Sequence, residues 1–225
     1  RAITQETIDE ALAFRRAMSA AREQVDGSWW FDVWQPDEIA RAPSDAKSAW
    51  VLKPGDAWHG FTDLAADHVL VDPIKVTILT PGLAADGAMS AHGIPASVVT
   101  KFLAEHGVVV EKTGLYPFFI MFTIGITKGR WNTLLTALQQ FKDDYDKNAP
   151  MWRILPEFCA AHPRYERMGL RDLSQSIHEM YAKGDIARLT TEMYLSDLHP
   201  AMKPSDAYAH IAHRQTERVE IDALE

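Results

Sequence analysis

Asp72-Pro-Ile-Lys-Val-Thr-Ile-Leu-Thr-Pro-Gly82 decides how the chain is read. Between Val69 and Thr80, β-branched residues alternate: Ile74, Val76 and Ile78 fall on one side, Lys75, Thr77 and Leu79 on the other. That two-residue period predicts a strand with one buried face. Pro81-Gly82 turns it off, and Pro73 predicts an edge or a bulge near its start. Working outward, Trp29–Trp34, Val108–Glu111 and Phe118–Ile124 are further apolar, β-branched or aromatic runs, read as strands. The continuous apolar character of the last two implies a sheet covered on at least one face by helices.

Helical periodicity supplies those helices. Thr7-Ile-Asp-Glu10 has capping-box spacing, and Ile8, Ala11, Leu12, Arg15 and Met18 follow at helical intervals until Asp26-Gly27. Pro95 marks a first helical position ahead of Val98, Val99, Phe102 and Leu103, and Gly107 stops that helix. Trp131, Leu134, Leu135, Leu138, Phe141 and Tyr145 keep a 3.6-residue period over 130–145, a long helix. The stretch from Pro36 to Gly60 lacks any period and reads as loop with short strand. After Asn148-Ala-Pro150 the chain becomes short helical pieces, with apolar positions 170, 173, 177, 180 and 181 in one of them, and Val219–Glu225 begins a strand-like pattern. The expected fold class is therefore α/β (α+β): a small mixed sheet flanked by helices over residues 1–146, then a mostly helical segment over 147–225.

Composition limits the function. With 225 residues, 47% hydrophobic and 24% charged, the chain has the composition of a folded protein of one or two domains. No uncharged apolar stretch reaches membrane-spanning length, the nearest being Leu115–Ile126. A net charge of −8 argues against a nucleic-acid surface, which needs clustered Lys and Arg. One cysteine, Cys159, cannot form an internal disulfide, so a reducing, cytoplasmic compartment is expected. The first residues, Arg1-Ala-Ile-Thr, carry no initiator methionine and read as the interior of a longer product.

Few residues point to chemistry. Only His210 and His213 fall within one helical turn and no carboxylate accompanies them, so no metal site is expected. Cys159 and His162 could be drawn as a thiol–imidazole pair, although a buried structural thiol accounts for Cys159 more simply. Gly125-Ile-Thr-Lys-Gly129 lacks the spacing of a phosphate loop, and Trp58-His59-Gly60-Phe61 reads as a structural corner. Glu111 stands at the carboxyl end of the expected strand Val108–Val110, where α/β folds present ligand contacts; a guanidinium or ammonium suits a carboxylate there, and an exposed turn charge is the plain alternative.

Taken in order, Trp30-Phe-Asp-Val-Trp-Gln-Pro-Asp37, Trp58-His-Gly-Phe61, Asp72–Gly82, Gly93-Ile-Pro-Ala96 and Glu105-His-Gly-Val-Val-Val-Glu-Lys-Thr-Gly114 resemble the C-terminal half of the bacterial inducible ornithine/lysine/arginine decarboxylases. The resemblance covers essentially the whole chain. Gly114-Leu-Tyr116 and Gly125-Ile-Thr-Lys-Gly-Arg-Trp131 look most like the acid-induced arginine branch.

This resemblance implies a pyridoxal-phosphate enzyme of the aspartate-aminotransferase fold that converts arginine to agmatine and carbon dioxide in acid resistance. Lysine or ornithine decarboxylation, or a non-catalytic cation-binding or dimerisation module, are the alternatives. It implies that residues 1–146 are the small aminotransferase-like domain and 147–225 the first part of the C-terminal domain, with the wing and cofactor domains absent. None of the lysines lies in the family's Ser-x-His-Lys motif, so no catalytic residue is expected here and pyridoxal phosphate is expected in the parent enzyme, not on this fragment. Glu111 matches the family's substrate-contacting acidic residue. The parent is expected to be a dimer that assembles into decamers, favoured in acid as a chain with a pI near 5.6 approaches neutrality. The reading is broken if Val108–Val110 lies outside any sheet or if Glu111 faces no concave surface.

Overall fold

The computed structural model describes residues 2–25, 27–65, 68–196 and 199–219, so part of the expected stop at Asp26-Gly27 and most of the strand-like tail after Val219 lie outside the described residues. Helix α1 spans Ala2–Gln24, followed by strand β1 (Asp32–Val33) and a short helix α2 (Asp37–Arg41). A 3-10 turn at Lys47–Trp50 leads to β2 (Lys75–Leu79) and α3 (Ala96–Glu105). Strands β3 (Lys112–Thr113) and β4 (Pro117–Met121) precede the long α4 (Lys128–Asp146). Helices α5 (Met151–Ile154), α6 (Pro156–Ala161), α7 (Leu170–Lys183), α8 (Ile186–Leu195) and α9 (Pro204–Ala212) complete the chain.

The sheet runs β1-β2-β4-β3, and every described pairing is antiparallel rather than mixed. Its alternation is the one expected: Val76 and Ile78 are fully buried, whereas Lys75 on the other face is exposed. Phe118 joins Val76 and Ile78 in the core, where Phe14 and Met18 of α1, Val99 and Phe102 of α3, and Leu134, Leu138 and Phe141 of α4 cover them. Only one face of the sheet is thereby packed.

The strands are shorter than their sequence runs. β1 keeps two residues of the Trp29–Trp34 run, because Trp29, Trp30 and Phe31 are drawn into aromatic packing with one another and with α4, Trp29 against Tyr145 and Phe31 against Phe141. β2 begins at Lys75, and Pro73 precedes an interior strand instead of marking an edge. The Pro36–Gly60 stretch holds α2 and the 3-10 turn, and its extended part is a single bridge from Val51 to Leu70. Thr7 is no cap: α1 is already under way there, and Thr7 Oγ1 donates to the Ile3 carbonyl one turn back. Pro95 stands at the N-cap of α3, one position before the expected one. Gly107 adopts φ +77 and ends α3 as expected, and α4 matches the 130–145 period closely.

Val108–Val110 is not a strand. It lies outside the named strands, Val109 is 88% exposed, and pairing with β4 begins only at Glu111 and Lys112. The first of the two conditions set against the reading of Glu111 is therefore met: Glu111 does not end a strand formed by Val108–Val110, and its assignment is left to the motif it shares with the family and to the concavity it lines.

Two compact units divide the chain, Arg1–Arg188 and Leu189–Glu225. In the first, residues past 146 continue the core: Ala149, Met151, Leu155, Leu170 and Leu173 belong to the same cluster as Phe102 and Phe141. The change in sequence texture near 147 thus falls inside one packed body. In α7 the inward positions are Leu170, Leu173, Ser174 and His178, whereas Met180, expected on that face, is 60% exposed. In the second unit α9 buries no residue, and Tyr208 and Ile211 are exposed. No helix among the described residues is long and apolar enough to cross a membrane.

Candidate functional site

Glu111 owes its orientation to an irregularity. Its backbone N–H donates to the Phe119 carbonyl at 2.9 Å, while Lys112 is the ladder partner of that same Phe119. Two successive residues oppose one, the arrangement of a β-bulge, which breaks the in–out alternation of a strand. Glu111 and Lys112 both line one open concavity of about 680 Å3, together with Lys75, Thr77, Phe119 and Met121 of the uncovered sheet face and with Thr113 and Phe118 of the register next to it. The Glu111 carboxylate is exposed, and no hydrogen bond or ion pair joins it to Lys75, Lys112 or another described residue. An unpaired carboxylate beside a half-buried aromatic ring suits a cationic group on an aliphatic stem.

The hairpin that carries Glu111 is anchored at its other end. The Tyr116 carbonyl accepts the Thr80 N–H at 2.9 Å and the Thr80 hydroxyl at 2.7 Å. The Leu115 carbonyl accepts the Ala96 N–H at the start of α3, and the Gly114 N–H donates to Pro117. The Tyr116 hydroxyl lies 2.6 Å from His178 Nδ1, and His178 Nε2 lies 2.8 Å from the Ser90 carbonyl. A carbonyl only accepts, so Nε2 carries the proton; in the neutral ring Nδ1 then accepts from Tyr116. Both residues are almost fully buried. Burial, with a smaller contribution from Tyr181, pushes the Tyr116 hydroxyl up to about 12, keeping it a donor.

The backbone is shaped to admit this pair. A Cβ on Gly82, whose φ is +135, would come within 2.4 Å of Tyr116 Cε1, and one on Gly93 within 2.2 Å of His178 Nδ1. Arg15 performs a parallel task on β2: fully buried over Trp50, it donates to Gln35 Oε1 at 2.9 Å and to the carbonyls of Pro73 and Lys75 at 3.1 and 3.0 Å. Burial lowers its pKa to about 9, against the opposing pull of Asp72. Neither Arg15 nor the Tyr116–His178 pair emerges from motif reading. The available signal was a polar residue inside an apolar stripe, Arg15 among Ala11, Leu12 and Met18, and His178 beside Leu173 and Ile177.

The other candidates are structural. Cys159 is buried, and burial followed by Glu105 and Glu166 raises its thiol pKa, the opposite of an activated nucleophile. His59 Nδ1 accepts the Phe61 N–H, and Trp58 donates to Asp56, so this loop is a hydrogen-bonded corner. His210 and His213 turn to Gln215 and to the Ala209 carbonyl.

The family model described as "Orn/Lys/Arg decarboxylase, major domain" matches residues 1–130, and "Orn/Lys/Arg decarboxylase, C-terminal domain" matches 187–225. The chain therefore belongs to the Orn/Lys/Arg decarboxylase family. It is 48% identical to lysine decarboxylase LdcA of Pseudomonas aeruginosa over 100% of this chain and 30% of that protein. It is 34% identical to the biodegradative arginine decarboxylase of Escherichia coli over 99% of this chain and 32% of that one. The solved structure of lysine decarboxylase A from Pseudomonas aeruginosa matches with a TM-score of 0.87 over 100% of this chain and 30% of that one. The chain thus spans about a third or less of the length of these relatives. Over its whole length it is more similar to the lysine enzyme than to the arginine enzyme that two of its short motifs suggested.

The family implies pyridoxal phosphate, held as an imine on a lysine. Lys142 is the only buried lysine among the described residues, and its Nζ is engaged by Asp146 at 2.5 Å and Ser28 at 3.1 Å over the Trp29 ring. That side chain is already taken up by its two partners, and the remaining lysines are exposed. The residues of this chain do not fit a cofactor anchor, and no step through the cofactor is assigned to them.

Proposed function

We propose that this chain is the substrate-reading part of a pyridoxal-phosphate-dependent decarboxylase of a dibasic amino acid, with Glu111 receiving the cationic end of the substrate. One observation carries the reading: Glu111, whose carboxylate has no partner among the described residues, lines an open concavity together with Phe119. The cofactor supplies the electron sink for loss of carbon dioxide, and these residues select and orient what is decarboxylated.

Lysine is the substrate that the level of identity over the whole chain supports. Arginine, yielding agmatine, is a second reading, supported by Gly114-Leu-Tyr116 and Gly125–Trp131. Residues 1–146 as the small domain and 147–225 as the start of the C-terminal domain, a cytoplasmic location, a role in acid resistance and acid-favoured assembly of dimers into decamers belong to the same proposal.

Steady-state kinetics of the decarboxylase carrying this segment, with L-lysine, L-arginine and L-ornithine, test it. Glu111→Gln removes the charge but keeps the shape. The expected result is a KM for the preferred substrate raised about thirtyfold or more, as when a close charge partner is lost. An unchanged KM overturns the assignment of Glu111. Calorimetric titration of the isolated chain with arginine or agmatine distinguishes a cation-binding module from a purely structural one.

A further inference from the structure

Resting on the reading of Glu111 above, we propose that Tyr116 and His178 are positioning residues that set where the Glu111 carboxylate stands. Strand β3 is only two residues long, and the segment before it, Val108–Val110, pairs with no strand. Beyond β3's own pairing, the Thr113 hydroxyl's bond to Thr100 at 3.1 Å is the one side-chain hydrogen bond within β3 among the described residues. By contrast, β4 is locked to β2 through pairs from Lys75–Met121 to Leu79–Pro117. The bulge at Glu111 is therefore held on one side by β4 and, along the chain, by the turn that ends at Tyr116.

That turn is fixed from outside the hairpin. Tyr116 donates to His178 at 2.6 Å, and His178 donates to the Ser90 carbonyl at 2.8 Å, so α7 clamps both the hairpin tip and the 82–93 loop. Gly82 and Gly93 make the room in which the pair sits, since a Cβ on either would collide with it. Loss of the clamp leaves the tip on the bonds that Thr80, Ala96 and Pro117 make to its backbone, and the loosening reaches, through Leu115 and Gly114, Glu111 three residues further back. A carboxylate free to wander contacts the substrate's cation less often, and KM rises.

The test uses the decarboxylase carrying this segment, with L-lysine and L-arginine as substrates and rates expressed per folded active site. Tyr116→Phe keeps the ring and its volume; His178→Leu removes the acceptor. Each is expected to raise KM about three- to tenfold, the worth of one buried hydrogen bond, with kcat changed less than KM. In the Glu111→Gln background Tyr116→Phe is expected to raise KM no further, since the group it positions is already gone. Glu111→Gln raising KM while Tyr116→Phe and His178→Leu lower only thermal stability overturns the positioning role and leaves the Glu111 reading standing. Full additivity of Tyr116→Phe and Glu111→Gln also overturns it, because the hydroxyl would then act by another route. An unchanged KM in Glu111→Gln alone overturns both.

Discussion

The two ends of one hairpin differ in everything but sequence distance. Tyr116 is 2% exposed, with its hydroxyl and carbonyl both bonded to groups far away in the chain. Glu111, five residues earlier, is exposed and bonded through its backbone alone. Stability is concentrated at the tip, and an unsatisfied charge is left at the open end. A protein that held Glu111 with an internal salt bridge would gain little at an exposed position and would lose the group's capacity to meet a ligand. The comparison teaches that the end proposed to meet substrate is the one whose side chain has no internal partner among the described residues.

Denaturant unfolding of the chain measures this asymmetry directly. The largest loss is expected at the matching anchor on β2: Arg15→Ala leaves Gln35 Oε1 and the Pro73 and Lys75 carbonyls without their donor and opens a cavity under Trp50, costing about 3–5 kcal/mol. Gly82→Ala comes next, at about 2–4 kcal/mol, because the new Cβ meets Tyr116 at 2.4 Å from a backbone at φ +135. Tyr116→Phe removes one buried donor and strands His178 Nδ1, for about 1–2 kcal/mol. Glu111→Gln, with no partner to lose, is expected to stay within about 0.5 kcal/mol. A Glu111→Gln loss as large as that of Tyr116→Phe would erase the distinction between the two ends.

A pH titration sharpens the same point. The Tyr116 hydroxyl is raised from 10.0 to about 12, so the folded state favours the protonated form. Its contribution is fully present below pH 10 and is lost as pH climbs towards 12. Tyr116 thus makes unfolding free energy fall over that window, whereas Arg15, lowered to about 9, makes it rise there, so the readout is the difference: the stability of the wild type relative to Tyr116→Phe should decline between pH 10 and 12. Tyr145 and the Cys159 thiol, both raised first by burial, act in the same direction as Tyr116 and do so in wild type and variant alike. An identical alkaline slope in the wild type and Tyr116→Phe would show that the hydroxyl is not held as described.

Much of the architecture was legible because it follows from local periodicity. The two-residue alternation of Lys75–Leu79 and the 3.6-residue period of Trp131–Tyr145 each depend on one buried face, and both elements form where expected. Val108–Val110 misled for a related reason. Three valines favour a strand, but β propensity reports fit to a half-buried pleated surface, and no neighbouring strand meets them there. Glu111 was named from a motif and from its place after that supposed strand. The second ground failed, and the two-against-one pairing of Glu111 and Lys112 with Phe119 is invisible in one dimension, because it is a mismatch between two strands.

Sequence by itself determined that this chain folds as helices over a small sheet, that it carries a net charge of −8, and which family it resembles, since each is a sum over composition, period or long motifs. Tertiary structure alone decided that the sheet is antiparallel and open on one face, that residues past 146 pack into the same core, and that Tyr116 finds His178 sixty-two positions away. The physical reason is common to all three. Pairing direction, core membership and the partner of a buried polar group are set by which distant segments share a space from which water is excluded, and no local pattern encodes that.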